Sequence, residues 1–261
     1  MRMLQPREQA GRHMGWPAFI GVVIVYAAII QGVGLAAGVD TGGYEAQFPT
    51  AESVTRNGLI PIGLSVIFAI GVTAWLGWWR EVLWCDVPVR RWVRIVPISM
   101  LAAAVIAVNY PRLADQPAGL VLAVAIMTLL VGIGEELMFR GLGVNVFRRA
   151  GFSEGRVALW SSVIFGAVHL TNAIGAGPQA ILQAAVVATS GYFFYLCLRV
   201  GGVILLPMLV HGLWDFSLIS NLIGAEDLDP YVGPVLIIAV QVGLIVLLVV
   251  RRRRIEPVTP G

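Results

Sequence analysis

Eight apolar stretches, each close to the length of a membrane-spanning helix, occupy most of this 261-residue chain. A helix needs about 20 predominantly apolar residues to cross a bilayer. Hydrophobic residues make up 58% of the sequence and charged residues only 13%, whereas a soluble domain carries about 25% charged residues. We therefore predict an all-α polytopic membrane helix bundle that forms a single domain over residues 1–261. The predicted spans are Trp16–Ala37, Leu59–Trp79, Val93–Tyr110, Gly119–Gly134 with its continuation, Val157–Asn172, Ala180–Leu198, Val203–Ile223 and Tyr231–Val250.

The distribution of arginine predicts the orientation. With the amino terminus inside, 15 of the 18 basic residues fall in inside segments. Only Arg56 and Arg112 fall outside, and Arg140 lies within a span. This asymmetry favours eight spans with both termini cytoplasmic. The net positive charge of the chain is therefore explained by its membrane topology. No basic stretch carries a recognition motif that would predict a nucleic-acid partner. Since the chain contains no lysine, as is typical of GC-rich bacterial genomes, we expect the bacterial plasma membrane.

Three charged residues interrupt the fourth apolar span: Glu135, Glu136 and Arg140. Each charge costs roughly 2.5–3.5 kcal/mol at the bilayer centre on insertion scales, so an ionisable residue at that depth indicates a functional site. Glu136 and Arg140 are four residues apart, so they share a helix face and can pair. Glu135 is rotated by about 100° from Glu136. We therefore predict a structural Glu136–Arg140 pair and a free carboxylate at Glu135.

Neighbouring residues on two further spans complete the predicted site. Phe165, His169 and Asn172 lie on or near one helical stripe, and His211 and Asp215 form an i, i+4 pair. At about 1.5 Å per residue, His211 lies roughly 12 Å and His169 roughly 18 Å from the inner edge of the membrane. Glu135 lies between about 6 and 15 Å from that edge. These depths favour one shared site in the inner half of the bilayer, although each pair taken alone is also typical of a satisfied structural contact.

Small residues beside the glutamates predict close neighbours. Gly132 and Gly134 leave room for another helix, a substrate or water. A buried carboxylate can take a proton from water and later pass it to a leaving amine. Histidines can position that water or stabilise the developing oxyanion. The chemistry predicted from the residues is therefore hydrolysis.

Three motifs in this part of the chain resemble the CAAX protease and bacteriocin-processing (CPBP) family of intramembrane glutamic proteases, which includes the eukaryotic type II CAAX prenyl endopeptidase. The similar stretch runs from about residue 119 to 223. The motifs are Glu-Glu-x-x-x-Arg from Glu135 to Arg140, Phe-x-x-x-His from Phe165 to His169, and His-x-x-x-Asn/Asp from His211 to Asp215. Each lies on a predicted helix, and the three occur in the order that the family shows.

The resemblance implies a role for each matched residue. Glu135 would activate the water with help from His169, and His211 with Asp215 would hold the oxyanion or the water. Glu136 and Arg140 would support the geometry. Asp215 departs from the eukaryotic branch, which has asparagine there, and an ionised aspartate cannot donate a hydrogen bond to an oxyanion. Either Asp215 is protonated or it orients His211.

The family also implies the partners: a membrane-associated peptide or protein at the cytoplasmic half of the bilayer, with no cofactor and no metal. It includes bacterial members whose substrates are not prenylated, so a prenylated carboxy terminus does not follow. A zinc-dependent variant is an alternative, because the same side-chain types ligate zinc, but the sequence contains no His-Glu-x-x-His. A transporter, or an immunity protein that only binds a toxic peptide, is another, although transporters often show inverted repeats and this chain shows none.

Overall fold

A computed structural model describes residues 11–36, 48–173, 177–224 and 231–257 of the chain. Within these ranges the fold is all-helical, with one isolated pair of β-bridged residues, Trp84 and Val203. Eight helices in the described part have 13 or more residues, and we label them α1 to α8. They are α1 Trp16–Ala36, α2 Ile60–Leu76, α3 Ile95–Ala107, α4 Ala118–Glu136, α5 Glu154–Val168, α6 Gln179–Gly201, α7 Leu205–Ile219 and α8 Val232–Arg251.

Each predicted span coincides with one of these helices, but they differ in length. Five helical segments of the described chain are long and apolar enough to cross a membrane: Trp16–Val33, Ala51–Leu76, Ala118–Arg149, Gln179–Gly201 and Val232–Arg254. The helices α3, α5 and α7 have 13, 15 and 15 residues, which is short for a full span. The all-helical membrane fold is therefore confirmed, whereas the count of eight spans is still a prediction.

The outer surface of the bundle is apolar. Ile67, Ile181 and Leu182 project from α2 and α6 with 65%, 66% and 70% of their surface exposed. Many other large aliphatic residues are exposed on α3, α4 and α8 as well. Exposed apolar surface of this extent is unfavourable in water and favourable against lipid tails. The surface is therefore that of a membrane-embedded bundle.

The helices α4 and α7 form the centre of the bundle and cross at two glycines. A Cβ atom on Gly132 of α4 would lie 2.5 Å from the carbonyl oxygen of Met208 and 2.8 Å from the backbone nitrogen of Gly212. A Cβ atom on Gly212 would in turn lie 3.1 Å from Cα of Leu129. Backbones approach this closely in membrane bundles only where the residues are small. Around this pair, α2 packs on α4, and α3 and α6 pack on α7.

One end of the bundle carries a network of ion pairs. Arg148 donates two hydrogen bonds to Glu154, at 2.8 and 2.9 Å. Tyr195 donates its hydroxyl to Glu154, and Arg199 contacts Tyr195 and pairs with Glu256 at 2.7 Å. Because these contacts join the ends of α5, α6 and α8, the described carboxy-terminal residues lie at this end.

The described amino-terminal residues lie at the same end. Trp78 donates its indole N–H to the carbonyl oxygen of Arg12 at 3.0 Å. The guanidinium of Arg149, next to Arg148 of the ion-pair network, lies 4.2 Å above the Trp78 ring. The arrangement agrees with the predicted placement of both termini on one side of the membrane, and the identity of that side is still a prediction.

The crossing of α4 and α7 can be tested at Gly132. We expect Gly132→Ala to lower the free energy of unfolding by about 1–3 kcal/mol, because the added methyl group forces the two backbones apart. Gly119→Ala is the matched control, since it lies on the same helix with open space at its Cβ position. Denaturant unfolding of the detergent-solubilised protein measures both. Equal stability of the two variants would show that the close crossing does not constrain the bundle.

Candidate active site

The site lies where the end of α4 meets α5, α6 and α7. Glu136 lies about one helical turn after Gly132 on α4, and His211 directly precedes Gly212 on α7. The close crossing of the two helices at these glycines therefore brings Glu135 and Glu136 beside His211. A widened π-helical segment, Leu137–Gly143, follows directly after Glu136 and contains Arg140. Such segments are often found at functional sites. The structure thus brings together the residues of all three predicted motifs.

Glu136 is the central buried acceptor of the site. Its Oε1 atom accepts hydrogen bonds from Arg140 Nη1 at 2.9 Å and from His211 Nδ1 at 2.8 Å. The side chains of Glu136 and Arg140 are both fully buried. The predicted Glu136–Arg140 pair is confirmed, and the histidine is an additional partner. Glu136 therefore joins α4 to α7 by a charged contact.

Aromatic rings hold Arg140 in place. Its Cζ atom lies 4.2 Å from the centre of the Phe165 ring and 5.3 Å from that of Phe194, within the distance at which a cation is attracted to a ring face. Gly191 makes this possible, because a Cβ atom there would lie 2.9 Å from Arg140 Nη2 and 2.9 Å from Phe165 Cδ1. Arg140 Nε and Nη2 have no hydrogen-bond acceptor among the described residues. The rings therefore replace hydrogen bonds around part of the guanidinium.

His211 is held on one ring face by Phe194 and at Nδ1 by Glu136. Phe194 stacks on it with ring centres 4.2 Å apart and an angle of 15°. With Nδ1 held by Glu136, Nε2 faces two more carboxylates, Glu135 at 3.6 Å and Asp215 at 3.5 Å. The contact predicted between His211 and Asp215 is thus present. Because Glu136 makes the shorter bond, Glu136 rather than Asp215 orients the ring.

His169 lies just after the end of α5, where the chain tightens into a 3-10 helix, His169–Asn172. Its Nδ1 atom is 3.0 Å from the carbonyl oxygen of Phe165. A carbonyl oxygen only accepts, so Nδ1 carries the proton of this hydrogen bond. In a neutral ring, Nε2 is then left with a free lone pair. Phe165 also packs edge-on against the His169 ring at 5.1 Å, which explains the Phe-x-x-x-His spacing.

Glu135 differs from its neighbour in having no committed partner. Its buried Oε2 atom accepts no hydrogen bond from any described residue. The carboxylate lies within electrostatic range of His169, His211 and Asp215. Its side chain is 13% exposed and that of Asp215 is 27% exposed, whereas the side chain of Glu136 is fully buried. The open side of the site is therefore lined by Glu135 and Asp215.

Asn172, a predicted supporting residue, lies in a separate polar cluster. Its Oδ1 atom accepts a hydrogen bond from Gln31 of α1, and its Nδ2 donates to Gln183 of α6, both at 3.0 Å. Thr171 accepts a second hydrogen bond from Gln31. Asn172 therefore ties the 3-10 helix that carries His169 to α1 and α6.

Two residues of the site were missed by reasoning from the sequence. Phe194 stacks on His211 and Gly191 makes room for Arg140, yet both lie in an ordinary apolar helix, α6, with no spacing that marks them. A charged partner would have been detectable inside a span, but a phenylalanine or glycine there has no distinctive signal.

Within the described ranges, no group of three or more His, Cys, Asp or Glu side chains is placed to hold a metal ion. The nitrogen atoms that could ligate are also partly committed, because Nδ1 of His211 binds Glu136 and Nδ1 of His169 faces a carbonyl.

Comparison with known proteins supports the resemblance. Residues 117–217 match the family model of the Type II CAAX prenyl endopeptidase Rce1-like proteins. The match contains all three motifs. The predicted resemblance to the CAAX protease family is confirmed. No curated protein and no solved structure shows detectable similarity to the chain. With its long apolar helices, the chain is an integral membrane protein.

The structural role of Glu136 in this site is testable. We expect Glu136→Gln to lower the free energy of unfolding by about 3–5 kcal/mol, because the amide leaves Arg140 buried without a counter-charge. Glu135→Gln, one residue away, is the matched control and should change stability little. Denaturant unfolding of both variants in the same detergent measures the difference. If the two variants unfold alike, Glu136 is not the structural member of the pair.

Proposed function

We propose that this protein is an intramembrane endopeptidase in which Glu135 activates a water molecule to hydrolyse a peptide bond. One observation carries the proposal: of two adjacent glutamates, Glu136 is hydrogen-bonded by Arg140 and His211, whereas Glu135 accepts no hydrogen bond at its buried Oε2 atom. Glu135 lies beside two histidines and an aspartate, with His211 Nε2 at 3.6 Å. An unpartnered carboxylate inside a bilayer is costly. Because residues 117–217 match a protease family, we infer that this carboxylate serves in catalysis.

In the first step, a water molecule between Glu135 and His169 attacks the carbonyl carbon of the substrate. Glu135 takes one proton from the water as the new C–O bond forms. His169 accepts a hydrogen bond from the same water at Nε2, since its Nδ1 proton is directed to Phe165. Holding the water in this way lowers the entropy cost of the attack. The result is a tetrahedral intermediate with a negative charge on the former carbonyl oxygen.

In the second step, the C–N bond breaks and the proton on Glu135 passes to the leaving amine, which restores the carboxylate. His211 already donates from Nδ1 to Glu136, so it acts as the imidazolium, with a second proton on Nε2. It stabilises the oxyanion by donating from Nε2, the nitrogen that faces the open side of the site. Hydrogen-bond donors that are already in position stabilise the developing charge more strongly in a low-dielectric site than in water. Because Glu136 already orients His211, Asp215 is free to contact the substrate or the water.

The substrate class follows from where the site lies. Because the site lies in a bundle whose outer surface is apolar, we expect the substrate to be a membrane-associated peptide or protein that enters from the cytoplasmic half of the bilayer. The proposed setting is the bacterial plasma membrane, with both termini in the cytoplasm. No cofactor is required for the two steps above.

The experiment that tests the proposal compares wild type with Glu135→Gln. We expect Glu135→Gln to abolish cleavage, because an amide cannot accept the proton of the attacking water. Membrane and secreted peptides from the two strains are compared by mass spectrometry, and cleavage of the peptides that differ is then measured with the reconstituted protein. The variant should fold as wild type does.

Two controls sharpen this test. Glu52→Gln removes an exposed carboxylate far from the site and should cleave normally. The reconstituted enzyme is also assayed after exhaustive chelation and elemental analysis. Full activity of Glu135→Gln would contradict the glutamate mechanism, activity that returns only with zinc would support a metalloprotease, and peptide binding without cleavage would support an immunity-type binding protein.

A further inference from the structure

Tyr26 of α1 reaches the site from outside the segment that matches the protease family. It is fully buried, and its ring packs edge-on against Phe139, with ring centres 6.4 Å apart and an angle of 85°. Phe139 lies in the π-helical segment between Glu136 and Arg140. A residue from the first helix is therefore fixed beside the two glutamates.

Gly134 makes room for the hydroxyl group of Tyr26. A Cβ atom on Gly134 would lie 2.8 Å from Tyr26 Oη and 2.9 Å from Val66 Cγ2. The hydroxyl therefore occupies the space next to Glu135 that any larger residue at position 134 would fill. This glycine was predicted to leave room for a helix, a substrate or water, and the occupant in the structure is a polar atom.

The buried hydroxyl meets the distance and angle criteria of a hydrogen bond with no described residue, and Ser65 is its nearest candidate acceptor. Leaving a buried donor unpaired costs about 1–3 kcal/mol, so such atoms are rare and need an explanation. The polar side chains around it are Glu135, Ser65 and Glu136. Ser65 already donates its own hydroxyl to the carbonyl oxygen of Ile62 at 2.8 Å.

Glu135 supplies the matching unsatisfied atom. Its buried Oε2 accepts no hydrogen bond from a described residue, with His211 Nε2 3.6 Å away. Oε2 of Glu136 is unsatisfied as well, but Glu135 has the stronger electrostatic effect on Tyr26. A single water molecule with two to four polar partners is enough to join such atoms, and a bridged hydrogen bond is nearly as favourable as a direct one. The pair is therefore complementary in chemistry as well as in position.

We propose that Tyr26 is a positioning residue that donates a hydrogen bond to the Glu135 carboxylate through one bridging water, and thereby holds it ionised and oriented for its role as base. This proposal rests on the proposed function of Glu135. It adds α1, which carries none of the three motifs, to the parts of the chain that build the site.

A titration of Glu135 isolates this contribution. The other ionisable groups that act on the Glu135 carboxylate come from four elements, and all of them are unchanged when only the Tyr26 hydroxyl is removed. They are Glu136 on α4, Arg140 in the π-helical segment, His169 after α5, and His211 and Asp215 on α7. A difference between wild type and Tyr26→Phe therefore reports the hydroxyl alone.

The experiment uses the full chain in lipid nanodiscs. The protonation of Glu135 is followed against pH by infrared difference spectroscopy, with Glu135→Gln identifying its carboxyl band. We expect Tyr26→Phe to move the midpoint to higher pH by about one unit, since loss of a donor destabilises the ionised form. On a peptide cleaved by wild type, kcat should fall about tenfold, with KM little changed and the acidic limb of the kcat/KM profile moved in the same direction.

Two variants serve as controls. Tyr110→Phe removes the hydroxyl of an exposed tyrosine that donates to the carbonyl oxygen of Val105, and it should leave the midpoint and kcat unchanged. Ser65→Ala tests whether Ser65 is the true partner of Tyr26, and it too should leave the Glu135 midpoint unchanged.

An unchanged midpoint in Tyr26→Phe would overturn the proposal, as would an equal shift in Ser65→Ala. The titration does not need cleavage, so failure of the proposed function is separable from failure here. If Glu135→Gln cleaved normally, the protease mechanism would fail, while the infrared midpoints would still decide whether Tyr26 bonds to Glu135.

Discussion

The buried carboxylate of Glu136 is the interaction on which the rest of the site depends. A carboxylate removed from water is tolerated only where cations and hydrogen-bond donors surround it. Here one oxygen receives Arg140 from the same helix and His211 from α7. The second contact requires the two helices to lie almost backbone to backbone, which the glycines at positions 132 and 212 allow. Charge compensation and helix packing are thus two parts of one constraint.

This constraint also separates the roles of two adjacent and chemically identical side chains. Because Glu136 takes the strong donors, Glu135 keeps its proton-accepting capacity. The aromatic rings of Phe165 and Phe194 contribute by filling the space around Arg140 and His211 without offering hydrogen bonds. The polar groups that could act on a substrate therefore lie at the open side: Glu135, His169, Asp215 and the Nε2 atom of His211.

The sequence was sufficient to predict those features that depend on local spacing. The Glu136–Arg140 pair and the approach of His211 to Asp215 follow from i, i+4 geometry on a helix, and both are present. The positions of the apolar helices follow from composition in the same way. The number of full spans does not, because an apolar run of 13 to 15 residues can be a short span or a buried core helix.

Contacts between distant parts of the chain could not be predicted in this way. The bond between His211 and Glu136 joins residues 75 positions apart, and no local pattern in either helix specifies it. The sequence therefore left open whether Asp215 orients His211, and the structure shows Glu136 in that position. The places of Phe194, Gly191 and Tyr26 likewise depend on how α1 and α6 pack.

The central claim is that Glu135 acts on water and does not itself attack the substrate. Single-turnover cleavage in H₂¹⁸O with hydroxylamine present, analysed by mass spectrometry, tests it most directly. The account predicts one ¹⁸O atom in the new carboxyl terminus, no label in Glu135 and no hydroxamate. A hydroxamate at the new terminus, or ¹⁸O in the Glu135 carboxyl group, would show a covalent acyl intermediate and contradict it.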